Sequence, residues 1–588
     1  MTNGVESGEK IFEGLAVAPG IAQGVVYTYH TEDEELPDYT LEPHEIPGEI
    51  ARFEAALIAT RAQIIEMQQQ IAEAIGATDA SIFDAHLLVV EDRTLIDEVL
   101  KLLEKDRKNV EIIFQKVADR YSETLNRIDD PYLRERAADI HDVTRRVIRN
   151  LLGKGHRGLA DVRHPHVLVA HNLTPSDTAM LNREFVLGFA TDVGSKTSHT
   201  AIMARSLGIP AVAGLHNLNE HVKDGQLIIV DGYSGRVVLN PTPETLARFA
   251  QIEEDKEHVE EELETLRETL STTRDGRHVV LAANIELLED LPSVDEHGAE
   301  GIGLYRTEFL YLNRVEFPSE EEQYVVYEQV ARATAPNDVV IRTMDLGGDK
   351  LLTEDEEKEP NPFLGCRAIR WSLENIDVFK TQLRAILRAA SACGNIKIMY
   401  PMISSLQEVR RANEILQECK NELRVEGTPF GESVDVGIMI EIPSAAIVAD
   451  QLAREVKFFS IGTNDLIQYT VAVDRVNERI AHLYQPTHPA VIRLIKTVVD
   501  AAHSAAIWVG VCGEMAGEIL LTPLLLGLGV DELSASAPLV PRVKRAVQRL
   551  EQSECEELVR KILQMDQPDA ILEATEAVAR SRYAELLG

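Results

Sequence analysis

The spacing of apolar and polar positions along the chain changes from strand-like to helical and back. Residues 11–28 (IFEGLAVAPGIAQGVVYT) mix β-branched side chains with Gly and Pro, which predicts short strands joined by tight turns. From Glu49 to about Leu152, apolar residues recur at helical spacing among Ala, Glu, Arg and Gln, with breaks at 76–78, 106–107 and 129–131. This segment predicts an antiparallel helical bundle inserted into the β element.

Strand-like runs return after the helical segment and alternate with short helical stretches. They cover residues 167–170, 185–191, 211–214, 227–231 and 237–239. The alternation predicts a compact α/β domain. Because the strand pattern stops at the helical segment and resumes after it, we expect residues 11–28 to pair with the later strands. The first structural unit is therefore expected to be discontinuous.

An acidic helical pattern runs from Thr242 to Leu270, with Pro243 near its start. Its apolar stripe is narrow, and most of its remaining positions are charged. Such a pattern is typical of a solvated helix rather than of a core helix. We therefore expect this stretch to connect two domains.

Eight buried-strand candidates follow the acidic stretch and are separated by helical segments. They lie at residues 279–285, 301–306, 339–345, 396–401, 436–443, 458–465, 507–514 and 530–536. Consecutive β/α units of this number are typical of a TIM barrel. The predicted fold class is therefore a multidomain α/β protein. It consists of an α/β domain with an inserted helical bundle, a helical linker and a C-terminal (β/α)8 barrel.

Charged side chains stand at the carboxyl ends of otherwise apolar predicted strands, which is where a TIM barrel carries its chemistry. Glu441 and Asp465 follow neighbouring strands, and Mg2+ prefers one or two carboxylates completed by water and substrate oxygens. The alternative is a structural ion-pair network with nearby arginines. Several arginines at strand ends favour a substrate that bears both phosphate and carboxylate. These are Arg306, Arg342, Arg367 and Arg475.

Two further features follow predicted barrel strands. Residues 345–350 (DLGGDK) form a glycine-rich turn whose backbone N–H groups, together with Lys350, could reach an anion. Cys512 ends the seventh strand, where a free cysteine is most simply a small buried side chain. If it faces the barrel mouth, it could instead donate a proton to a carbanion or enolate.

A single histidine, His199, lies among small hydroxyl and glycine residues just before an apolar helical pattern (GSKTSHTAIMAR, residues 194–205). Ser and Thr at this position supply N-cap chemistry, and a helix N-terminus favours an anion. His199 would then lie where backbone N–H groups and hydroxyls could hold a phosphoryl group. The alternative is a capping turn that carries an ordinary surface histidine.

Composition excludes several classes of partner. The 588-residue chain has a net charge of -38, which argues against binding to nucleic acid or to anionic lipid. The five cysteines form no C-x-x-C pair and no metal-ligand spacing, so neither a zinc site nor a disulfide framework is indicated. Residues 1–10 are polar and lack the apolar region of a secretory signal. We expect a soluble, cytoplasmic protein without a membrane partner.

Several long motifs occur in order along nearly the whole chain. They are LTPS at 173–176, SKTSHTAIMAR at 195–205, GAEGIGLYRTEF at 298–309, RTMDLGGDK at 342–350, NPFLGCRAIR at 361–370, FSIGTNDLIQY at 459–469, AVDR at 472–475 and CGE at 512–514. Together they resemble the Enzyme I family of the bacterial phosphoenolpyruvate:sugar phosphotransferase system. One departure from the family pattern is Cys366, which stands where an aromatic residue is expected.

The resemblance implies a reaction and a role for each matching residue. His199 would take the phosphoryl group of phosphoenolpyruvate and pass it to a histidine of the carrier protein HPr. Cys512 would protonate the methylene carbon of the enolate, and Thr178 would orient the histidine. Glu441 and Asp465 would bind Mg2+. The groups that would hold phosphate and carboxylate are Arg306, Arg342, Lys350, Arg367, Asn464 and Arg475.

The resemblance also implies a role for each domain. It assigns 1–30 and 155–241 to a swivelling phosphohistidine α/β domain, 31–154 to the HPr-docking bundle, 242–272 to the helical linker, and 273–588 to the barrel that binds phosphoenolpyruvate and forms a homodimer. Acidic residues of the bundle would suit a partner with a basic rim. These are Asp79, Asp84, Glu91 and Asp92. Because the β element begins close to the N-terminus, we expect the sugar-system enzyme rather than a longer nitrogen-related relative.

Three other interpretations compete with this one. A phosphoenolpyruvate synthase or pyruvate phosphate dikinase would need a nucleotide-binding domain, and the chain carries no G-x-x-x-x-G-K-[ST] loop. A Mg2+-dependent lyase acting on a pyruvate enolate would account for the barrel residues and leave His199 without a role. A non-catalytic phosphorelay regulator predicts that catalytic positions are replaced, whereas His199, Glu441, Asp465 and Cys512 are all present.

Overall fold

The computed structural model divides the chain into two compact units, Met1–Lys256 and Glu257–Gly588. It describes residues 8–29, 36–75, 82–126, 131–153, 162–174, 177–178, 181–182, 184–195, 199–311, 314, 316–347, 361–475, 477 and 479–587. Each unit has hydrophobic cores of its own. The predictions for the breaks at 76–78 and 129–130, for Asp79 and for Lys350 lie outside the described residues.

The helical bundle belongs to the first unit. Its described helices are α1 (Ile46–Ile75), α2 (Ile82–Val90), α3 (Arg93–Asp106), α4 (Val110–Asn126) and α5 (Pro131–Leu151). Their apolar faces meet in one core, which includes Phe53, Phe83, Leu103, Phe114 and Val147. The predicted break at 106–107 is confirmed, because Arg107 ends α3 in the left-handed conformation.

The structure adds a helix boundary that the sequence pattern did not predict. Helix α2 ends at Val90, and α3 begins at Arg93. The carboxylate of Asp92 accepts hydrogen bonds from the backbone N–H groups of Thr94 and Leu95, which makes Asp92 the N-cap of α3. Apolar spacing continues across this point, so periodicity alone could not find the turn.

The first unit also contains a sheet that combines strands from both sides of the bundle. The described strands are β1 (Lys10–Glu13), β2 (Leu15–Ala18), β3 (Ile21–Tyr29), β4 (His166–Ala170), β5 (Val186–Thr191), β6 (Ala211–Ala213), β7 (Leu227–Asp231) and β8 (Arg236–Leu239). Their order in the sheet is β1-β8-β7-β3-β4-β5-β6-β2. Strand β3 lies between β7, to which it is antiparallel, and β4, to which it is parallel. The strands that precede and follow the bundle therefore share one sheet.

Helix α6 (His199–Leu207) packs against both the sheet and the bundle, and the short helix α7 (Leu218–His221) follows β6. Ala201, Ala204 and Leu207 contribute to the apolar core under the sheet. Met203, on another side of α6, is fully buried in the core of the bundle. The helix that begins at His199 is thus fixed on two sides within the first unit.

The acidic connector forms helix α8 (Pro243–Glu264). Within the first unit, Phe249 packs with Ile229 and Val238 of the sheet. Within the second unit, Leu263 and Leu266 belong to the barrel core. The helix therefore ends before the predicted Leu270, and its two ends are packed rather than fully solvated. Burial of these apolar residues overrides the acidic composition of the stretch.

The second unit is a closed barrel. Its described strands are all parallel: β9 (Val280–Ile285), β10 (Gly301–Tyr305), β11 (Asp338–Arg342), β12 (Ile396–Tyr400), β13 (Asp435–Ile440), β14 (Phe458–Ile461), β15 (Trp508–Val511) and β16 (Glu532–Ser536). Pairing of β16 with β9 closes the barrel. The predicted TIM barrel is confirmed.

Helices lie between the barrel strands, and the last three helices follow the final strand. They are α9 (Leu291–Glu296), α10 (Glu320–Thr334), α11 (Ile369–Glu374), α12 (Ile376–Cys393), α13 (Leu406–Glu426), α14 (Pro443–Ile447), α15 (Ala449–Leu452), α16 (Thr463–Val471), α17 (Pro489–Ser504), α18 (Thr522–Leu528), α19 (Val540–Arg549), α20 (Gln552–Ile562) and α21 (Pro568–Leu587). Among the described helices, none combines the length and the apolar character needed to cross a membrane.

Candidate active site

A cavity of about 260 Å3 opens at the carboxyl ends of the barrel strands. Arg306, Glu441 and Cys512 each come directly after a strand, and Arg342 is the last residue of β11. The cavity brings together every described barrel residue that the sequence predicted for the site. These are Arg306, Arg342, Arg367, Glu441, Asn464, Asp465, Arg475 and Cys512.

Buried ion pairs hold two of these arginines. The Nη2 of Arg342 donates to Glu308 at 2.6 Å, and its Nη1 lies 3.4 Å from Asp345. Arg367 donates to the same Asp345 from Nε at 3.1 Å and from Nη2 at 2.8 Å. All four side chains are almost completely buried. Because each guanidinium is fixed by a carboxylate, its position in the cavity does not depend on a bound ligand.

The carboxylate of Glu441 lies deep in the cavity. Its Oε1 accepts a hydrogen bond of 2.6 Å from the backbone N–H of Met402. Burial, together with the neighbouring carboxylates of Asp465 and Asp345, raises the pKa of Glu441 to about 8. An added positive charge in this part of the cavity would therefore favour the ionised form of Glu441.

Close backbone approach makes room for these groups. A Cβ on Gly462 would lie 2.9 Å from the Oε2 of Glu441. A Cβ on Gly513 would lie 2.0 Å from the Oγ1 of Thr463, at the start of α16. Glycine at both positions lets the turn after β14 and the turn after β15 meet beside the carboxylates.

The thiol of Cys512 is buried at the base of the same cavity. Its Sγ lies 3.7 Å from the carbonyl oxygen of Ile461. Burial raises the pKa of Cys512 to about 11, with a contribution from the carboxylate of Glu441. At neutral pH this cysteine is therefore a protonated thiol that can serve as an acid.

Glu514 connects two of the predicted substrate-binding residues. Its Oε1 accepts hydrogen bonds from the Nη1 of Arg475 at 2.7 Å and from the Nδ2 of Asn464 at 3.0 Å. The backbone N–H of Glu514 donates to the Oδ1 of Asn464 at 2.9 Å. The turn that follows β15 thereby sets the orientation of Asn464, which lies on α16.

A second cavity, of about 500 Å3, adjoins the first at the barrel mouth. Arg306, Asn464 and Cys512 line both cavities. The Nη1 of Arg306 is paired with Glu286, which follows β9. The second cavity therefore extends the first beside the residues that could bind a small anion.

The predicted nucleophile and its neighbour lie in the first unit. His199 is the first residue of α6, and the next residue, Thr200, donates from Oγ1 to the carbonyl oxygen of Leu173 at 2.8 Å. The hydroxyl of Thr178 is buried and donates to the carbonyl oxygen of Thr174 at 2.9 Å. Leu173 is thus tied to the start of the helix that His199 begins, and Thr178 is tied to the residue that follows Leu173.

Comparison with protein families divides the chain into three consecutive matches. Residues 13–136 match the N-terminal domain of the PEP-utilising enzymes, residues 162–235 match their mobile domain, and residues 260–552 match their PEP-binding domain. A phosphoenolpyruvate-protein phosphotransferase from Bacillus sp. (strain S) is 46% identical over 565 residues, which cover 96% of this chain and 97% of the relative. The chain belongs to the phosphoenolpyruvate-protein phosphotransferase family.

Another relative in this phosphotransferase family is similar over nearly the whole chain, and a solved structure is similar over part of it. The phosphoenolpyruvate-protein phosphotransferase of Staphylococcus carnosus (strain TM300) is 43% identical over 573 residues, which cover 97% of this chain and the whole of the relative. A solution structure of Enzyme I (nEIt) is 40% identical in sequence, with a TM-score of 0.36. The match covers 42% of this chain and 99% of the chain in that structure.

Sequence reasoning did not assign a role to Glu308 or Glu286, which hold arginines at the mouth of this phosphotransferase-family barrel. Glu308 lies within the matched motif GAEGIGLYRTEF, two residues after Arg306. A short 3-10 turn after β10 directs its carboxylate toward Arg342 on the next strand. A carboxylate at the end of a buried strand, next to a strand that ends in arginine, was the signal that could have identified it.

Proposed function

We propose that this protein transfers the phosphoryl group of phosphoenolpyruvate to its own His199 and then to a histidine of the carrier protein HPr, releasing pyruvate. The observation that carries this proposal is the barrel-mouth cavity, which holds arginines, a carboxylate pair and a protonated thiol together. The cavity would bind a small anion that bears both phosphate and carboxylate. His199, in the other unit, would be the acceptor that the cavity residues do not supply.

The charges in the cavity suit phosphoryl transfer. The Nε of Arg342 is buried and has no hydrogen-bond acceptor among the described residues. A buried donor of this kind is costly to leave unpaired, so an anionic oxygen from a ligand would stabilise it. Phosphoryl transfer depends mainly on positioning and on neutralising charge on the phosphoryl oxygens. Arg306, Arg342, Arg367 and Arg475 would perform that task, with Asn464 and Lys350 as further ligands of the substrate.

Glu441 and Asp465 fit a magnesium ion. Among the described residues, no three His, Cys, Asp or Glu side chains are arranged to hold a metal. Two carboxylates are enough for Mg2+, because water and substrate oxygens complete its shell. The raised pKa of Glu441 reflects burial and the neighbouring carboxylates of Asp465 and Asp345, and a bound cation would offset both effects. When bound, Mg2+ would neutralise charge on the phosphate and enolate oxygens of the substrate.

Cys512 would complete the reaction. Transfer of the phosphoryl group to His199 breaks the bond between phosphorus and the enol oxygen, which leaves the enolate of pyruvate. The thiol of Cys512 would donate its proton to the methylene carbon, giving pyruvate and a thiolate that solvent reprotonates. The raised pKa of Cys512, about 11, keeps the proton on sulfur at neutral pH until the enolate forms.

The direct test uses phosphoenolpyruvate labelled in its phosphate group. The wild-type protein with Mg2+ should acquire acid-labile label and pass it to HPr. His199→Ala should acquire none, whereas His221→Ala, an exposed histidine of the same unit, should be labelled like the wild type. Absence of label on the wild type, or equal label on His199→Ala, would contradict the proposed function.

The two transfers would require domain movement. His199 belongs to the first unit, and the barrel cavity belongs to the second. The swivelling domain (1–30 and 155–241), with Thr178 orienting His199, would meet the barrel (273–588) for the first transfer and separate from it for the second. The linker, 242–272, would allow this swing. A covalent cross-link between the two units should abolish transfer to HPr, and full transfer in the cross-linked protein would contradict the movement.

The bundle (31–154) would be the docking surface for HPr. Asp84 and Leu88 are exposed on α2 at i and i+4, so they share one helix face, and the exposed Glu91 follows directly after the helix ends. An exposed leucine between two acidic residues suits a partner whose active site has an apolar surface and a basic rim. Asp92 contributes less to such a surface, because its carboxylate caps α3.

The barrel would also form the homodimer. Large apolar side chains of the second unit are exposed, including Leu364 and Ile447 at 66% and 67%. Contiguous exposed apolar patches mark subunit interfaces, and side chains such as these would supply one. Sedimentation of the wild type and of Leu364→Asp tests the assignment: we expect a dimer that the substitution weakens, and a monomeric wild type would contradict it.

A further inference from the structure

A separate cavity, of about 680 Å3, lies at the opposite end of the barrel from the candidate active site. The first residues of several parallel strands line it, among them Gly301, Asp338, Trp508 and Glu532. Of its described lining residues, none also lines the two cavities at the barrel mouth. We refer to it as the basal cavity.

The basic side chains of the basal cavity already have partners. Lys397 is paired with Asp338, and Arg267 is paired with Asp295. Lys544 is buried and donates to three backbone carbonyl oxygens, the shortest being that of Gly298 at 2.8 Å. These cations are neutralised or saturated, so the basal cavity is poorly suited to an anion.

Glu300 and Glu532 of the basal cavity each leave a carboxylate oxygen without a hydrogen-bond donor among the described residues. Glu300 accepts from the Nε2 of His278 at 2.7 Å through Oε2, while its Oε1 is buried without a hydrogen-bond partner among the described residues. Glu532 projects into the barrel, where a Cβ on Gly303 would lie 2.7 Å from its Oε1. Within the described part of the chain, no side chain or backbone group donates a hydrogen bond to the Glu532 carboxylate. A buried carboxylate oxygen without a donor, such as Oε1 of Glu300, is costly, and Glu532 is only partly exposed.

The pKa of Glu532 also indicates uncompensated negative charge in the basal cavity. Burial raises the pKa of its carboxyl to about 7. The carboxylates of Asp338, Asp531 and Glu300 add to this effect, and the ammonium of Lys397 opposes it. Asp531 is itself paired with His503 and Arg277. The basal cavity therefore has an excess of negative charge that the side chains around it do not neutralise.

The shape and lining of the basal cavity favour an organic ammonium over a metal ion. Nowhere in the described residues do three His, Cys, Asp or Glu side chains converge to hold a metal. Part of the wall is apolar, with Ala282, Ile302 and the ring of Trp508. The ammonium of Lys397 lies 5.1 Å from the centroid of that ring, so the ring already neighbours one alkyl ammonium group.

We propose that the basal cavity binds a small aliphatic diamine, with one ammonium group on Glu532, the other on Glu300, and the methylene chain against Trp508. Both carboxylates then gain a charge-assisted donor, which for Glu300 is the partner that its Oε1 lacks. The apolar wall covers the hydrocarbon chain, and the volume leaves room for an extended molecule rather than a single ion. This site is independent of the reaction at the barrel mouth.

Calorimetric titration of the full-length protein at pH 8 with 1,3-diaminopropane, 1,4-diaminobutane and 1,5-diaminopentane tests the proposal. At least one diamine should bind with a 1:1 stoichiometry and more tightly than butylamine, which has a single ammonium group. Loss of one charge-assisted hydrogen bond in Glu532→Gln or Glu300→Gln should weaken binding by about tenfold or more. Glu455→Gln, in an exposed pair with Arg410, should bind like the wild type.

The possible results separate clearly. No binding of any diamine, or binding that both carboxylate variants retain, would overturn the proposal. Binding of MgCl2 alone that is lost in Glu532→Gln would overturn it in favour of a metal site. Circular dichroism establishes whether each variant folds. If Glu532→Gln does not fold, the result for Glu300→Gln decides the question. A change in Trp508 fluorescence on addition of the diamine is the second readout.

Discussion

The Nη2 of Arg342 donates a hydrogen bond of 2.6 Å to the carboxylate of Glu308, and both side chains are less than one-tenth exposed. Replacing one partner of such a pair leaves a buried charge with less compensation. In Glu308→Gln, the direct ion pair that remains to Arg342 among the described residues is the 3.4 Å contact with Asp345. We expect the KM for phosphoenolpyruvate to rise about tenfold or more and the free energy of unfolding to fall by about 3 kcal/mol.

Steady-state kinetics and urea unfolding measure both effects of Glu308→Gln. The matched control is Glu328→Gln, which removes the carboxylate of a more exposed i,i+4 pair with Arg332. The control should leave KM and stability nearly unchanged. An unaltered KM in Glu308→Gln would mean that Glu308 does not position Arg342 for substrate.

The reactivity of Cys512 gives a second prediction, independent of catalysis. Cys512 is 3% exposed, and burial raises its pKa to about 11, whereas Cys393 is exposed. Because the thiolate is the nucleophile, iodoacetamide should modify Cys393 much faster than Cys512 at pH 7.5. The rate at Cys512 should rise as the pH approaches its pKa. Peptide mass spectrometry measures both rates, and comparable rates at pH 7.5 would contradict this environment for Cys512.

The barrel and its mouth could be predicted from the sequence because two physical signals coincided there. Buried parallel strands are continuously apolar, so a charged residue such as Glu441 or Arg306 marks the point where a strand ends. Strands that close a parallel barrel then bring all of those ends to one rim. Residues far apart in the chain, such as Arg306 and Cys512, consequently line one cavity.

The remaining features depended on contacts that no local pattern records. The turn before α3 rests on one side-chain cap by Asp92. The end of α8 depends on where Leu263 and Leu266 enter the barrel core. The role of Glu308 depends on the distance between two neighbouring strands. Tertiary packing decides each of these, and periodicity carries no information about it.

The proposed docking face on α2 predicts a selective effect on the second transfer. Asp84→Lys places a positive charge beside exposed Leu88, where it would repel a basic partner. We expect the KM for HPr to rise several-fold, while labelling of the protein by phosphoenolpyruvate is unchanged. Glu104→Lys, an equal change of charge at an exposed position on α3, is the control. Equal effects of the two substitutions would show only a response to net charge.

Glu532 provides a pH-dependent prediction. Its pKa is raised from about 4.5 to about 7 by burial and by neighbouring carboxylates. Below pH 4.5 the group is neutral in both the folded and the unfolded state, and its ionisation does not affect stability. Between pH 4.5 and 7 the unfolded state ionises first, so the wild type loses stability as the pH rises. Above pH 7 the loss is complete and constant.

Glutamine cannot ionise, so the Glu532→Gln variant should not lose stability in this way as the pH rises. Its stability relative to the wild type should therefore increase by about 1 to 3 kcal/mol between pH 5 and pH 8. Urea unfolding followed by tryptophan fluorescence reports on the barrel, because Trp371 and Trp508, the two tryptophans of the chain, both belong to the second unit. Glu455→Gln serves as the control, and its stability relative to the wild type should be the same at pH 5 and at pH 8. If the stability difference between Glu532→Gln and the wild type were also constant with pH, the carboxyl of Glu532 would titrate alike in the folded and unfolded states.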